Sequence, residues 1–399
     1  MNASDDNPAP PDSASGRPEP EALFQQANAL VAEGRMDEAG SAYRQAAEAD
    51  HRRAQVELAR MHLYGVIDGA DPGTGVEWLS RAEAGGNTMA AYYLAMIALG
   101  GALLPRDQRI NERIRVAINA GVTPALRAAA LHFGRKPHAD DQAICVQLLE
   151  RATNAGDRIA ACLLAERLAN GEGTKRRPDA AEHLWRQLTA QGLARLPAVT
   201  VAKPRQAESS QPRHLAMEDV LFAAPSTVLS AQPRVAAVDG LLSADECRLL
   251  IATSQPMLRG SQTTDPETGQ PIAMPLRTSS DASLDPILED FALRAVQLRI
   301  CAAAGVELVQ AEHLVVLRYE PGQQYRPHRD YLPATTIARD QPQAGNRARS
   351  ICVYLNDVEA GGATEFRGAD VTVQPKAGSA VVFDNLLADG SPDPDSLHA

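Results

Sequence analysis

The sequence predicts a multidomain protein in which an all-α solenoid of helical repeats precedes an α+β domain that ends in a barrel or jelly roll. Three observations lead to this fold class. A chain of 399 residues is too long for one ordinary domain. Its first half repeats a pattern of small residues with a period of about 35. Its last third consists of short apolar runs that are separated by Gly and Pro turns.

Composition excludes several classes of function. Hydrophobic residues make up 44% of the chain, enough for sizeable cores, and the formal net charge is −11. An acidic chain is a poor match for a nucleic-acid backbone or an anionic membrane as its main partner. No apolar run reaches the length of a membrane span, and the N-terminus lacks the pattern of a signal peptide.

The cysteines indicate a reducing compartment. They are widely scattered and include no Cys-x-x-Cys pair, so neither a zinc ribbon nor a disulfide framework is predicted. We therefore expect a cytoplasmic protein. The five positions are Cys145, Cys162, Cys247, Cys301 and Cys352.

Two segments are predicted to lie outside the packed domains. Residues 1–20 are rich in Pro, Ser and Asp, and we expect them to be disordered. Residues 194–232 are rich in Ser, Ala and Gln and are interrupted by prolines, which predicts a linker. These limits leave 21–193 as the repeat domain and 233–399 as the C-terminal domain.

The repeat domain shows the same period in two independent features. Four similar segments begin 36, 35 and 35 residues apart, at Ala54, Ala90, Ala125 and Ala160. The glycines that end each unit are spaced by 36, 35 and 36, at Gly85, Gly121, Gly156 and Gly192, and we expect them to adopt the left-handed region. Two amphipathic helices per unit at a fixed period are typical of an α-solenoid. The pattern resembles the Sel-one-like repeat, a relative of the tetratricopeptide repeat; an unrelated Ala-rich helical bundle is the alternative.

The C-terminal domain begins with a strand and a helix before the strands become frequent. Residues 235–238 predict a strand, and Ser243 with Glu246 forms a capping box that opens a helix. Further strands are predicted at 314–319, 351–355, 371–373 and 380–383.

A His-x-Asp sequence provides the candidate metal site. In an extended segment, residues i and i+2 point to the same face, so His328 and Asp330 present one imidazole and one carboxylate together. These are two-thirds of the 2-His-1-carboxylate triad that holds non-heme Fe(II). The one histidine that follows is His398, which is therefore the predicted third ligand. The alternatives are a surface histidine at 328 and a frayed C-terminal residue at 398.

Six motifs carry a resemblance that extends across the C-terminal domain. They lie at residues 239–247, 277–279, 317–330, 354–366, 375–385 and 396–399. In this order they resemble the catalytic domain of prolyl 4-hydroxylase-type dioxygenases that depend on 2-oxoglutarate and Fe(II). The resemblance implies a double-stranded β-helix, Fe(II) held by His328, Asp330 and His398, 2-oxoglutarate as cosubstrate and L-ascorbate as reductant. It also implies hydroxylation of an unactivated C–H bond.

The resemblance further implies the residues that bind the cosubstrate. Tyr319, nine residues before His328, and Ser350 match the family's partners for the distal carboxylate of 2-oxoglutarate. The family places a Lys or Arg about ten residues after the second histidine, on a final strand, and the given sequence ends at Ala399. We therefore expect the C-terminal strand to be missing and cosubstrate binding by residues 1–399 to be weakened, with Arg349 as the first alternative anchor.

Three functional hypotheses follow. The leading one is a dioxygenase acting on a C–H bond such as that of a prolyl residue in a protein or peptide, with the repeats binding a protein partner or the substrate. The alternative is a non-catalytic scaffold or sensor built on a degenerate dioxygenase domain. A cupin-like metal enzyme without 2-oxoglutarate is disfavoured by Tyr319 and the motif at 361–366. The identity of the substrate and the oligomeric state stay open.

Overall fold

The structure is a computed structural model. It describes residues 19–200, 214–222, 225–261, 263–264, 271–272, 277–285, 289–340 and 342–399. The predicted disorder of residues 1–20 falls almost entirely outside this part of the chain, and so does the middle of the predicted linker, 201–213.

The N-terminal half is all-α, as the sequence predicts. Helix α1 pairs with α2, α3 with α4, α7 with α8 and α9 with α10. The helices are α1 (Pro20–Ala32), α2 (Met36–Glu48), α3 (Arg52–Leu63), α4 (Pro72–Ala84), α5 (Thr88–Gly100), α6 (Arg109–Asn119), α7 (Thr123–Gly134), α8 (Ala139–Asn154), α9 (Arg158–Asn170) and α10 (Pro178–Ala190).

The predicted period reappears in the helix boundaries. Helices α3, α5, α7 and α9 begin 36, 35 and 35 residues apart. Gly121, Gly156 and Gly192 adopt positive φ angles, each two residues after the last residue of its helix, as expected. In the first unit Gly85 remains right-handed with φ −73°, and its neighbour Gly86 takes the left-handed conformation with φ +88°. The expectation for Gly85 was therefore wrong by one position, because a second glycine follows it and takes the left-handed conformation in its place.

The described residues of the C-terminal half form three α-helices and short antiparallel strands. The helices are α11 (Ala244–Ser254), α12 (Phe291–Ala304) and α13 (Ala334–Asp340). The strands are β1 (Ser226–Ala231), β2 (Arg234–Val238), β3 (Arg259–Gly260), β4 (Thr263–Thr264), β5 (Pro271–Ile272), β6 (Ser280–Ser283), β7 (Val315–Arg318), β8 (Arg349–Val353), β9 (Thr364–Phe366), β10 (Val371–Val373) and β11 (Ala380–Asp384).

Four sheets organise these strands. The largest has the order β1-β2-β11-β8, and a three-stranded sheet has the order β3-β6-β7. Strands β9 and β10 form one hairpin, and β4 and β5 form another. All pairs are antiparallel. The predicted α+β class is confirmed, and strands β2, β7, β8, β10 and β11 lie where the sequence predicts them.

The predicted capping box at the start of α11 is also confirmed. Ser243 Oγ accepts the main-chain N–H of Glu246 at 3.3 Å, and the Glu246 carboxylate accepts the main-chain N–H of Ser243 at 2.8 Å. This reciprocal pair satisfies two N–H groups that the first turn of a helix would otherwise leave unpaired.

By its internal contacts the chain divides into two compact units, one ending at Leu94 and one running from Ala95 to Ala399. The second unit contains helices α6–α10 together with all strands of the described residues. Within it, α11 packs on α7 and α9, and α12 packs on α7. The domain limits drawn from the sequence stay predictions. None of the helices in the described part of the chain combines the length and the apolarity that a membrane-spanning segment needs.

Candidate metal centre

Strand pairing brings the three predicted metal ligands together. The main-chain N–H of His328 donates to the carbonyl of His398 at 2.8 Å, and the N–H of His398 donates to the carbonyl of His328 at 3.0 Å. The two residues thus face each other in an antiparallel bridge. Directly opposite residues share one face of a sheet, and Asp330 shares that face because it lies two residues after His328.

The donor atoms converge on a common point. Nε2 of His328 lies 3.5 Å from Oδ1 of Asp330, and Nε2 of His398 lies 3.8 Å from the same oxygen. One ligand atom from each residue lies within 4.8 Å of the others. Among the described residues, this is the cluster of histidine, cysteine and acidic side chains with the spacing of a metal site.

Backbone carbonyls determine which nitrogen of each imidazole carries the proton. Nδ1 of His328 lies 3.0 Å from the carbonyl of Arg326, and Nδ1 of His398 lies 3.0 Å from the carbonyl of Ser396. A carbonyl can only accept, so Nδ1 is the protonated nitrogen in both rings. Each Nε2 therefore carries a lone pair, and both lone pairs are directed toward Asp330. This tautomer, with the proton on Nδ1, is the one that a metal ion bound at Nε2 requires.

The second histidine is held firmly at the end of the given sequence. His398 is 5% exposed, and its ring packs against those of Phe366 and Phe383, with centroids 5.6 and 4.5 Å away. Ala399 exchanges two main-chain hydrogen bonds of 3.0 Å with Glu365. The alternative of a frayed residue at this position is wrong, because the last residues are bonded to an extended segment on each side.

Asp330 is ionised and fixed by its neighbours. Burial raises the pKa of its carboxyl, but the neighbouring imidazoles of His328 and His398 and the hydrogen bond from Ser350 outweigh burial and lower the pKa to about 2. Ser350 Oγ lies 2.6 Å from Oδ2 of Asp330, and Asn385 Nδ2 lies 2.9 Å from Ser350 Oγ. The structure thus places Ser350 beside the metal carboxylate.

Two tyrosines and an arginine, Tyr325, Tyr319 and Arg277, lie next to the triad. The ring of Tyr325 stacks on that of His328, with centroids 3.4 Å apart and planes at 16°. The guanidinium of Arg277 lies over the Tyr325 ring at 5.3 Å and donates to Ser279 Oγ at 3.0 Å. Tyr319 is hydrogen-bonded to Ser279 and Arg277, and burial raises the pKa of its phenol, so the hydroxyl is protonated at neutral pH.

Two further arginines near the site have structural partners. Arg347 forms a two-bond ion pair with Glu312, at 2.6 and 2.9 Å, and lies 3.4 Å from the carbonyl of Asp330. Arg349 pairs with Asp384 and donates to the carbonyl of Ala304 at 2.6 Å. These contacts engage the Arg349 guanidinium with Asp384 and Ala304. They disfavour Arg349 as the alternative anchor for the carboxylate of 2-oxoglutarate.

Sequence reasoning missed three residues that the structure places around the site: Thr364, Tyr354 and Asn385. Thr364 Oγ1 lies 2.7 Å from the Tyr354 hydroxyl. Thr364 precedes Phe366 by two residues on β9 and therefore faces the side on which Phe366 meets His398. The period-2 alternation along β9, and along β8 and β11 continued by one residue, is the signal that could have identified them.

The residues present fit a divalent metal ion. Two neutral imidazoles and one carboxylate are the donor set of the facial triad of non-heme Fe(II) sites. The Nδ1–H bonds to carbonyls and the hydrogen-bonded carboxylate are the outer contacts that such ligands normally make.

Residues 314–398 match the family described as the 2OG-Fe(II) oxygenase superfamily. They form a 2OG-Fe(II) oxygenase domain. The match contains all three members of the triad. Fe(II) and 2-oxoglutarate are the metal and cosubstrate that this family implies.

The oxygenase domain also has curated relatives among prolyl 4-hydroxylases. The chain is 33% identical over 171 residues to "Prolyl 4-hydroxylase 1" of Arabidopsis thaliana, covering 39% of this chain and 59% of that protein. It is 34% identical over 165 residues to "Prolyl 4-hydroxylase subunit alpha-1" of Rattus norvegicus, covering 40% of this chain and 30% of that protein. The chain thus spans less than two-thirds of the length of either relative.

Two solved structures are similar to part of the chain at a lower level. A viral collagen prolyl hydroxylase of Paramecium Bursaria Chlorella virus-1, in complex with 2OG, is 23% identical and aligns over 41% of this chain and 85% of its own, with a TM-score of 0.30. A Sel1 repeat protein of Oxalobacter formigenes is 20% identical and aligns over 44% of this chain and 76% of its own, with a TM-score of 0.39.

Proposed function

We propose that this chain is an Fe(II)- and 2-oxoglutarate-dependent dioxygenase that hydroxylates a C–H bond of its substrate. The observation that carries the proposal is the convergence of the Nε2 atoms of His328 and His398 on Oδ1 of Asp330. Fe(II) bound there supplies the oxidative chemistry, in which 2-oxoglutarate is decarboxylated and the substrate is hydroxylated. The protein residues orient the ligands, bind the cosubstrate and position the substrate.

A prolyl residue of a protein or peptide is the proposed substrate. The relatives that carry the oxygenase domain are named prolyl 4-hydroxylases. The ring of Tyr325 lies beside the triad and contacts both the imidazole of His328 and the guanidinium of Arg277. The guanidinium offers N–H donors for the carbonyl of a peptide bound next to the triad.

Three further features belong to the proposal. L-Ascorbate is the proposed reductant, by resemblance to the family. The helical repeats are proposed to bind a protein partner or the substrate, because repeat arrays present extended surfaces to other chains. All five cysteines carry free thiols, which is consistent with the expected cytoplasmic compartment.

The test measures metal binding and turnover of 2-oxoglutarate with and without an intact triad. The full chain should bind Mn(II) in calorimetry and should release succinate from 2-oxoglutarate when Fe(II), dioxygen and a prolyl peptide are supplied. The double variant His328→Ala/Asp330→Ala should lose both properties, because two of the three metal ligands are gone.

The matched control is His313→Ala, which removes an exposed histidine outside the triad. This variant should bind metal as the unmodified chain does. Unchanged metal affinity in the double variant would exclude the site. Metal binding without turnover of 2-oxoglutarate would favour the alternative of a non-catalytic scaffold or sensor.

A further inference from the structure

The two oxygens of Asp330 have different partners. Oδ1 faces the Nε2 atoms of His328 and His398, at 3.5 and 3.8 Å. Oδ2 accepts a hydrogen bond from Ser350 Oγ at 2.6 Å. An unrestrained carboxylate can rotate and present either oxygen, or both, to a metal ion. The hydrogen bond from Ser350 occupies Oδ2 and leaves Oδ1 available to the metal ion.

Asn385 determines the direction of the Ser350 hydroxyl. The amide Nδ2 of Asn385 lies 2.9 Å from Ser350 Oγ, and an amide NH₂ group can only donate. Ser350 therefore accepts from Asn385 and gives its single proton to Asp330. With the Asn385 amide turned over, its oxygen would compete with Asp330 for that proton, and one of the two acceptors would face the hydroxyl oxygen without a hydrogen.

The hydrogen bonds from Asn385 to Ser350 and from Ser350 to Asp330 form a relay, which the strand register holds in place. Ser350 lies on β8 opposite Phe383 of β11, and Asn385 directly follows β11. Asn385 is fully buried, its main-chain N–H donates to the carbonyl of Ala348 at 2.8 Å, and its carbonyl accepts from Asp393 at 2.9 Å. Ser350 and Asn385 are therefore both attached to the four-stranded sheet β1-β2-β11-β8 and have little freedom to move apart.

We propose that Ser350 and Asn385 are positioning residues for the metal carboxylate, and that Ser350 does not bind the cosubstrate. The proposal rests on the proposed function, since it assumes that the triad binds a metal ion. It differs from the role that family position implies for Ser350. A carboxylate of 2-oxoglutarate needs a donor, and the one proton of Ser350 is already given to Asp330.

The sharpest test compares Ser350→Thr with Ser350→Val. Threonine and valine are both β-branched and differ in the hydroxyl, so a difference between the two variants reports the hydrogen bond rather than the shape of the side chain. Mn(II) affinity measured by calorimetry should be close to that of the unmodified chain for Ser350→Thr. It should fall about 10- to 100-fold for Ser350→Val, the range typical of lost outer contacts to metal ligands.

Asn385→Ala should act in the same direction. Its effect on Mn(II) affinity should not add to that of Ser350→Val, because the two residues form one relay. Absorption spectra of the Co(II)-loaded chain give a second readout. Ser350→Val should change the ligand-field bands, because a released carboxylate can bind through both oxygens. Ser379→Ala is the control, since that buried serine donates to the carbonyl of Lys376 outside the site.

The outcomes separate this proposal from the proposed function. Equal Mn(II) affinity of Ser350→Thr and Ser350→Val, with weaker 2-oxoglutarate binding by the valine variant, would overturn the relay and show Ser350 to be a cosubstrate residue. A full chain that binds no Mn(II) would overturn the proposed function and the relay together. Binding that is lost in His328→Ala/Asp330→Ala but retained in Ser350→Val would overturn the relay alone.

Discussion

Tyr319 illustrates how the environment of one residue prepares it for a role. Its phenol is hydrogen-bonded to Ser279 and Arg277, and burial raises its pKa. A protonated phenol next to a guanidinium can donate to a carboxylate, whereas a phenolate would repel it. The structure is therefore compatible with the cosubstrate role predicted for Tyr319, while the hydroxyl of Ser350 is directed to Asp330.

We expect Tyr319→Phe to weaken 2-oxoglutarate binding by about tenfold, because a hydrogen bond to a charged group contributes about 1.5 kcal/mol or more. Mn(II) affinity should not change, since Tyr319 is not a metal ligand. Calorimetric titration of 2-oxoglutarate into the Mn(II)-loaded protein measures this. Tyr43→Phe, which removes a hydroxyl among the repeat helices, is the control. Equal cosubstrate affinity of the phenylalanine variant at position 319 would exclude the role.

Helix α11 depends on buried charges that reach into the repeat helices. Asp245 and Arg167 of α9 form an ion pair in which both side chains are 2% exposed. Arg248 forms two hydrogen bonds with Glu172, at 2.6 and 2.8 Å, and Glu246 pairs with Arg299 of α12. Charges buried in this way are tolerated only as complete pairs, because removal of one partner leaves the other without compensation.

We expect Arg167→Met to lower the free energy of unfolding by about 3–5 kcal/mol, the usual cost of an unpaired buried charge. Urea denaturation followed by circular dichroism measures it. The control is Arg195→Met, which breaks an exposed pair with Glu182 and should cost less than about 1 kcal/mol.

The same pairs predict a pH dependence. Burial raises the pKa values of Asp245 and Glu246, but the charges of Arg167 and Arg299 respectively outweigh burial and lower both pKa values below their ordinary values. Their stabilisation is therefore complete above about pH 5 and is lost as the pH falls through the lowered pKa values. In Arg167→Met the free energy of unfolding should fall less steeply with falling pH, because Asp245 no longer has the charge of Arg167 beside it. An identical acid profile for the variant and the unmodified protein would contradict the assignment.

The larger compact unit of the chain contains repeat helices as well as the C-terminal strands. The compact unit from Ala95 to Ala399 combines helices α6–α10 with the oxygenase domain. The buried pairs of Asp245 and Arg248 with Arg167 and Glu172 lie inside this unit. The last repeat helices are thus part of the environment in which α11 folds.

We expect residues 101–399, which begin after α5, to melt close to the full chain. Residues 214–399 should melt at a markedly lower temperature, because Asp245 and Arg248 lose Arg167 and Glu172 as partners. Differential scanning calorimetry of the two fragments decides this. Equal melting temperatures would show that the oxygenase domain folds independently of the repeats, as the predicted boundary at 194–232 implies.

The sequence by itself determined the features that depend on short-range patterns. The period of about 35 predicts the helix starts, Ser243 and Glu246 predict the start of α11, and apolar runs predict five of the strands. His-x-Asp predicts two ligands because residues two apart share a face of an extended segment. Only the tertiary structure decided that His398 lies opposite His328, that Ser350 donates to Asp330, and that Asp245 is buried against Arg167. These contacts join residues far apart in the chain, and they depend on strand register and helix packing, which local periodicity does not specify.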